Sequence, residues 1–370
     1  MEVKLRTSVQ ELDAGGMRVR LSSGETISFN HLVVATGARS RSSGVSGEDI
    51  EGIFSLRNVS DAVGIKHYIR ERKAKRAVIV GSGFVSLEMC EAFRKIGLET
   101  TVICRKNYPM SKLGEEFAGP ILQQLQGEGV NFIPDTRLSS IDRSSSGAVW
   151  VHTDGASMEA DLVLLGIGVV PEVALAEQSG IELGPTGAIA VDNHMKTNKE
   201  AIYAAGDCCE SYHRISRRPS YAPLGDTANK QGRIAGANIG GQDLVFPGIV
   251  GSYCLKVFDL EVASTGFTPD EARKAGMQVR SATIKGKSRA HSYPGSVDLQ
   301  IRLIADNENG RLLGAQAIGS EGAVSRINAL AAGLAAGISL EELAYLDLAY
   351  APPFSGAWDP IHIAAQKLLK

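Results

Sequence analysis

Long apolar runs, one-sided charge and aromatic side chains are all scarce in this chain. Its 39 Lys and Arg nearly balance 41 Asp and Glu, leaving a net charge of −2, so no basic field recommends a nucleic acid or an anionic membrane as partner. The longest uncharged stretch near the C-terminus, Ile327–Leu340, falls short of the roughly 20 apolar residues that cross a bilayer and suits a buried helix. Within it, Gly333 and Gly337 have a spacing that suits close helix packing. No signal peptide is visible in the opening Met1-Glu2-Val3-Lys4. Cysteine is sparse: the five are Cys90, Cys104, Cys208, Cys209 and Cys254, with no C-x-x-C and no metal-ligand spacing. That pattern predicts a reducing, cytoplasmic setting and gives no support to a disulfide scaffold, zinc or an iron–sulfur cluster. Adjacent Cα atoms lie about 3.8 Å apart, below the usual disulfide range of about 4.4–6.8 Å. A Cys208–Cys209 bridge would therefore be strained, and the cysteines read as structural.

What is present is ordinary globular material, 44% apolar and 22% charged over 370 residues, enough for two or three domains with their own cores. The chain is organised around Ala77–Arg105. An apolar run (Ala77–Val80) enters a Gly81-Ser82-Gly83 turn, a helical pattern runs to Gly97, and a second β-rich run follows at Thr100–Ile103. This is a βαβ unit of the dinucleotide-binding kind. Gly81 allows the tight turn and Gly83 lets backbone approach a pyrophosphate. The helix start at Phe84 and Val85 offers free N–H groups to that anion. Ser86 stands where the fingerprint has its third glycine. The alternative is an ordinary tight turn in a parallel sheet.

Before this unit, strands are expected at Val3–Ser8, Met17–Leu21 (after a Gly15-Gly16 turn), Thr26–Phe29 and His31–Ala35. Ser60-Asp61 is expected to cap a helix over Ala62–Arg72. After it come a helix at Glu115–Gln126, a strand at Asn131–Ile133, a hairpin through Ser144–Gly147 with Val149–His152, and a strand at Asp161–Leu165. That last strand closes on Gly166-Ile167-Gly168, a place where α/β sheets hold ligands. Strands at Ile189–Val191 and Ile202–Ala205 and a helix at Ala228–Ile239 follow. From Gly248 the pattern becomes α+β, with strands at Leu255–Val257, Glu261–Thr265, Val279–Ile284, Leu299–Ile304 and Leu312–Ile318. Its helices are expected at Pro269–Ala275, Ala323–Ala336 and Leu340–Leu346.

Several motifs occur in a telling order: ATGAR at 35–39, GSGFVSLE at 81–88, GIGVVPE at 166–172 and IYAAGDC at 202–208, then APLGDTANKQGRIAGANIGG at 222–241 and YAPPFSGAWDP at 350–360. In these, over essentially its whole length, the chain resembles the pyridine nucleotide-disulfide oxidoreductases, in their coenzyme A-disulfide reductase/NADH oxidase branch. The resemblance implies an α/β fold of two Rossmann-like domains, the first incomplete, plus a C-terminal α+β dimerisation domain. The implied division is 1–58 and 187–247 for FAD, 59–186 for NAD(P), and 248–370 for dimerisation. Members open with a further GxGxxG for the FAD pyrophosphate and a reactive cysteine just beyond. No such fingerprint precedes His31 and no cysteine precedes Cys90, so the sequence looks like a member lacking its N-terminal segment.

By the same resemblance FAD contacts survive at Thr36, Gly37 and Asp207, the last bonding a flavin ribityl hydroxyl. A helix start at Thr227 and Ala228 would face the flavin pyrimidine ring, where a helix N-terminus stabilises negative charge. Glu88 would sit beside nicotinamide and flavin, and Tyr350 would present a proton-donating hydroxyl near the partner subunit's flavin. An aromatic–proline turn packed on the surface is the plainer reading of Tyr350. His362 receives no role. The implied chemistry is hydride transfer from NAD(P)H through FAD to a disulfide such as coenzyme A disulfide, or a related persulfide or polysulfide. An NAD(P)H oxidase or peroxidase acting on oxygen is one alternative. A non-catalytic NADP-binding remnant is another. The implied assembly is a homodimer.

An acid at the end of the second strand of such a unit accepts the ribose 2′-hydroxyl of NAD. Here that position is Cys104, followed by Arg105 and Lys106. Two cations and no carboxylate favour a 2′-phosphate, so NADPH is expected over NADH.

Overall fold

The computed structural model describes residues 2–144 and 147–370. Ser145 and Ser146, at the centre of the expected hairpin turn, lie outside the described residues. The chain gathers into two compact units. One comprises Met1–Arg39 with Val169–Ile249, the other Ser40–Gly168 with Val250–Lys370.

In the first unit, Val9–Asp13, Arg18–Leu21 and Thr26–Ser28 form an antiparallel meander. Its alternating pattern turns Leu12, Val19 and Leu21 into a core shared with Ile202, Ala204 and Cys208. The strand expected at Val3–Ser8 does not form. Val3 and Leu5 are 63% and 79% exposed, and cross-strand pairing begins only at Val9↔Leu21. An apolar alternation with no partner strand has nothing to bury itself against. Leu32–Val34 runs parallel to Ile202–Ala204. Ile189–Val191 is likewise not a strand, Ile189 making only isolated bridges to Leu183 and Cys209. The following helix spans Gly225–Ile239 and so begins three residues before the expected Ala228.

In the second unit, a parallel sheet is ordered Ile53–Phe54, Leu162–Leu165, Arg76–Val80, Glu99–Ile103, Val130–Ile133. Its central strands read as continuous apolar runs because both faces are covered. Ile79, Leu87, Val102 and Leu164 are wholly buried, each such side chain stabilising the fold by about 1.5–3 kcal/mol. The helix Val59–Arg72 is capped at Asn58, not at Ser60-Asp61. Asp61 instead closes the capping box from the third position.

The same unit contains an antiparallel sheet ordered Tyr253–Val257, Leu260–Gly266, Leu312–Gly319, Asp298–Asp306, Val279–Lys287. Ala323–Ala336 ends at Gly337, whose φ of 77° lies in the left-handed region, so Ile327–Leu340 is one helix end, a turn and the first residue of the helix Leu340–Ala344. The chain closes with a helix, Pro360–Leu369, capped by Asp359. Arg302 joins the two sheets' territories. It donates to the Leu113 carbonyl at 3.0 Å, stacks 4.5 Å above the Phe117 ring and pairs with Glu116 at 2.5 Å.

Candidate cofactor sites

The glycine turn sits at the carboxyl edge of Arg76–Val80. Gly81 donates its N–H to the Ile103 carbonyl at 2.9 Å, and Gly166 donates to the Val80 carbonyl at 2.9 Å. Three strand ends are thereby drawn together. At Gly81 φ is +102°, and a Cβ there would lie 2.5 Å from the Gly166 carbonyl oxygen, so this position admits only glycine. Gly83 differs. Its backbone is extended and a Cβ would meet nothing within 4 Å. Its lack of a side chain therefore opens space outside the protein's own packing, as a close-lying pyrophosphate requires.

Among the described residues, no side chain caps the helix Phe84–Lys95, leaving first-turn N–H groups for an anion. Ser86, wholly buried, donates its hydroxyl to the Gly166 carbonyl at 3.1 Å. The third fingerprint position is thus filled by a residue small enough to pack and polar enough to bond the neighbouring turn. Val85 is exposed. Phe84 packs edge-on against Tyr253, with ring centroids 5.0 Å apart, so its side chain serves packing while its N–H stays at the turn. Gly168, with φ of +98°, lies exposed with open space around it.

Glu88 faces a groove of about 640 Å³ with Cys254, Lys256, Asp259, Glu261 and Ser320. Partial burial first, and the Glu91 charge second, hold its carboxyl above the ordinary carboxylate range. Cys104 ends Glu99–Ile103 as expected, but it is not idle. Its sulfur lies 2.9 Å from the Ser82 hydroxyl and accepts the Lys106 N–H at 3.4 Å. Arg105 and Lys106 are exposed.

In the other unit the positions expected to contact flavin converge at the ends of Leu32–Val34 and Ile202–Ala204. Thr36 donates its hydroxyl to the Glu172 carbonyl at 2.6 Å, and Gly37 turns at φ +71°. Ala205 donates its N–H to the Val34 carbonyl at 3.1 Å. Gly206 donates to the Gln231 side chain at 2.9 Å, and a Cβ on it would meet Ala228 at 3.5 Å. The Gly206-Asp207 turn therefore abuts the first turns of Gly225–Ile239, where Thr227 is buried and Ala228 half-buried. Tyr221 holds the Asp207 carbonyl at 2.9 Å. That helix has no side-chain cap among the described residues, so its N-terminus is available to a negatively charged ring edge.

All five cysteines are unbridged. Burial pushes the Cys90 thiol up to about 12. The bond to Cys208 and then burial raise Cys209 as well. Among the described residues, no cluster of His, Cys, Asp or Glu could hold a metal ion.

Tyr350 is 54% exposed on the segment leading to Pro360–Leu369. His362 anchors that segment: its Nδ1 accepts the Asp359 N–H at 3.2 Å and its Nε2 donates to the Leu346 carbonyl at 2.8 Å. The sequence carries a signal for this in the D-P-x-H spacing of a capped helix start at Asp359–His362.

Residues 1–232 match the family model described as pyridine nucleotide-disulphide oxidoreductase, and residues 253–360 match that family's dimerisation domain. The chain belongs to the pyridine nucleotide-disulphide oxidoreductase family. Its fold is the α/β FAD/NAD(P) oxidoreductase fold with a C-terminal dimerisation domain, and FAD and NAD(P)H are the cofactors of that family. The chain is 38% identical over 370 residues to a protein of Pyrococcus furiosus named NAD(P)H sulfur oxidoreductase (CoA-dependent), covering all of this chain and 83% of that one. A Staphylococcus aureus coenzyme A disulfide reductase is 30% identical over 341 residues, spanning 92% of this chain and 76% of its own length. A NAD-dependent persulfide reductase of A. fulgidus superposes with a TM-score of 0.94 at 36% identity, over 98% of this chain and 68% of that one. Among the described residues, no helix of this family member is long and apolar enough to cross a membrane.

Proposed function

We propose that this protein is a flavin-dependent oxidoreductase that draws reducing equivalents from NAD(P)H and delivers them to a small disulfide or persulfide, coenzyme A disulfide being the leading candidate. The observation that carries this reading is the pairing of two strand-end sites in one chain. One is a glycine turn whose Gly83 is open to a pyrophosphate, and the other is a Gly206-Asp207 turn set against an uncapped helix start. Similarity over the whole of this chain to a CoA-dependent sulfur oxidoreductase supports the substrate class.

Gly81 and Gly83 would admit the nucleotide pyrophosphate, with Phe84 and Val85 N–H groups donating to it. Gly168 would border the nucleotide at the neighbouring strand end. Glu88, with its raised carboxyl, would sit at the nicotinamide end. Thr36, Gly37 and Asp207 would hold the flavin ribityl side, and Thr227 and Ala228 would set the helix dipole toward its ring. A bound flavin would relay a hydride from the nicotinamide to the disulfide, the protein supplying binding, orientation and electrostatics. Tyr350 would donate a proton to the departing thiolate.

The exposed aromatics Tyr345, Tyr350, Phe354 and Trp358, all at least 54% exposed, support a homodimer formed through residues 253–360. The organisation we propose is 1–39 with 169–249 for FAD, 40–168 for NAD(P) and 250–370 for dimerisation; the expected ends at 58/59 and 186/187 shift because Ile53–Phe54 pairs into the sheet of the glycine turn and 169–186 gathers with the first unit. Five unbridged cysteines support a cytoplasmic setting.

The test is direct. Purified protein supplied with FAD should be yellow and should consume NAD(P)H faster with coenzyme A disulfide than with oxygen alone. A colourless protein that takes up no FAD would sink the reading. Oxygen-driven consumption indifferent to the disulfide would replace it with an oxidase.

A further inference from the structure

The chain leaves Ile202–Ala204 through a tight turn, with Gly206 at φ +88° and the Cys209 N–H bonded to the Gly206 carbonyl at 3.1 Å. One side chain ties both limbs of that turn. Gln231, on the helix Gly225–Ile239, is 1% exposed and has every hydrogen-bonding position of its amide in use. Its Oε1 accepts the Gly206 N–H at 2.9 Å and the Cys209 thiol at 3.5 Å. Its Nε2 donates to the Glu210 carbonyl at 3.1 Å and to the Ser211 hydroxyl at 3.0 Å. Turned end for end, the amide would set its amino group against the Gly206 N–H and its oxygen against the Glu210 carbonyl, so the network admits one orientation. Thr227 and Ala228 stand four and three residues before Gln231 and so share its face of the helix.

We infer that Gln231 is a positioning residue for the flavin: its bond to the Gly206 N–H fixes the Asp207 turn against the N-terminus of Gly225–Ile239. The two features proposed to act on the cofactor, the Asp207 hold on the ribityl chain and the helix dipole toward the ring, are then kept in one register. That register matters because the field of a helix end falls off within its first turn. A ring anchored through a turn that slides along the helix would leave the field. No cofactor is needed to set the spacing, since all four bonds are made within the protein, and this lowers the ordering cost of binding. The effect is unequal on the two redox forms. Reduction adds negative charge to the ring, and the helix N-terminus favours that charge. Losing the register therefore weakens the hold on reduced flavin more than on oxidised flavin, which a loss of core stability alone would not do.

This inference rests on the flavin half of the function proposed above. The whole chain is titrated with FAD, and the midpoint potential of the bound flavin is measured against reference dyes. Gln231→Met keeps the side-chain volume and loses all four bonds. It should bind oxidised FAD at least tenfold more weakly. Its potential should also fall by about 30 mV, a further tenfold loss confined to the reduced form of a two-electron couple. Gln231→Glu should stay within threefold of the parent protein in affinity and match its potential, because burial keeps the new carboxyl protonated and so leaves an acceptor for Gly206. Ser211→Ala removes one buried bond of the same amide on the far limb and should leave affinity within twofold and potential unchanged. If the methionine variant does not fold, Gln231→Asn, which draws the amide back by one methylene, is measured in its place and should move both quantities in the same directions. Affinity within twofold of the parent protein, or weakened binding with an unchanged potential, would overturn the inference while leaving the flavin reading intact. A parent protein that takes up no FAD removes both.

Discussion

The Ser86 hydroxyl bonds the Gly166 carbonyl at 3.1 Å, linking the nucleotide-turn helix to the end of Leu162–Leu165. A Cβ on Gly166 would lie 2.0 Å from that hydroxyl, so helix and strand have closed to the limit of a two-atom side chain. Ser86→Ala should therefore cost about 1 kcal/mol, the value of one buried hydrogen bond. Ser86→Val should cost more, about 1–3 kcal/mol of overpacking, and weaken nucleotide binding with it. Urea unfolding curves check both, and a valine variant as stable as the alanine variant would contradict the packing account.

The two glycines of the turn should separate cleanly. Gly81→Ala places a methyl 2.5 Å from the Gly166 carbonyl in left-handed backbone and should lower Tm by several degrees while losing nucleotide binding. Gly83→Ala meets no protein atom within 4 Å. It should melt with the parent protein yet bind NADPH at least tenfold more weakly. Thermal melts alongside nucleotide titration decide this, and a Gly83→Ala protein binding normally would show that no phosphate comes close to that backbone.

Arg326 and Asp359 form a buried pair at 2.9 Å, with side chains 7% and 10% exposed. Asp359 also accepts from Ser355 and Ile361, and Arg326 donates to the Ser288 and Gly322 carbonyls. Arg326→Met leaves a buried carboxylate unpaired and should cost about 3–5 kcal/mol. Adding Asp359→Asn, which keeps a helix-capping acceptor without the charge, should recover part of that loss. Chemical denaturation of the single and double variants gives the comparison, and a double variant weaker than Arg326→Met alone would contradict it.

Acid should weaken the sheet edge at Asp161. Burial raises this carboxyl, but the Arg76 guanidinium and the Lys75 and Arg76 N–H groups outweigh it and hold it below its ordinary 3.8. A lowered folded value means the group stabilises the fold above its ordinary value, and that contribution disappears as pH falls through the folded one. The stability difference between the parent protein and Asp161→Asn should thus be flat near neutrality and shrink in acid. Measured unfolding free energies that converge on raising the pH would have the opposite sign and refute the assignment.

Local signals were enough for the nucleotide unit. The runs Ala77–Val80 and Thr100–Ile103, with a glycine turn and a helical pattern between them, specify strand, turn, helix and strand from neighbouring residues, and the folded elements differ from that reading by a residue or two at their ends. The apolar alternation of Val3–Ser8 misled because a strand needs a partner, and none pairs there. Asn58 won the helix cap from Ser60 because the reciprocal bond with Asp61 requires the three-residue spacing. Pro360–Leu369 is announced by its proline and its capping aspartate, a signal as local as the glycine turn.

The sequence alone determined that a glycine turn exists, that a thiol and two cations follow its second strand, and that strand-tip glycines recur at Gly37, Gly168 and Gly206. Only the tertiary structure decided which of the turn glycines is forced by the protein's own packing and which leaves room for a ligand. That depends on Gly166, eighty-five residues beyond Gly81, and close approach between distant backbones leaves no mark in local composition. The same holds for the surroundings of Cys104, whose sulfur meets Ser82 at the neighbouring strand end.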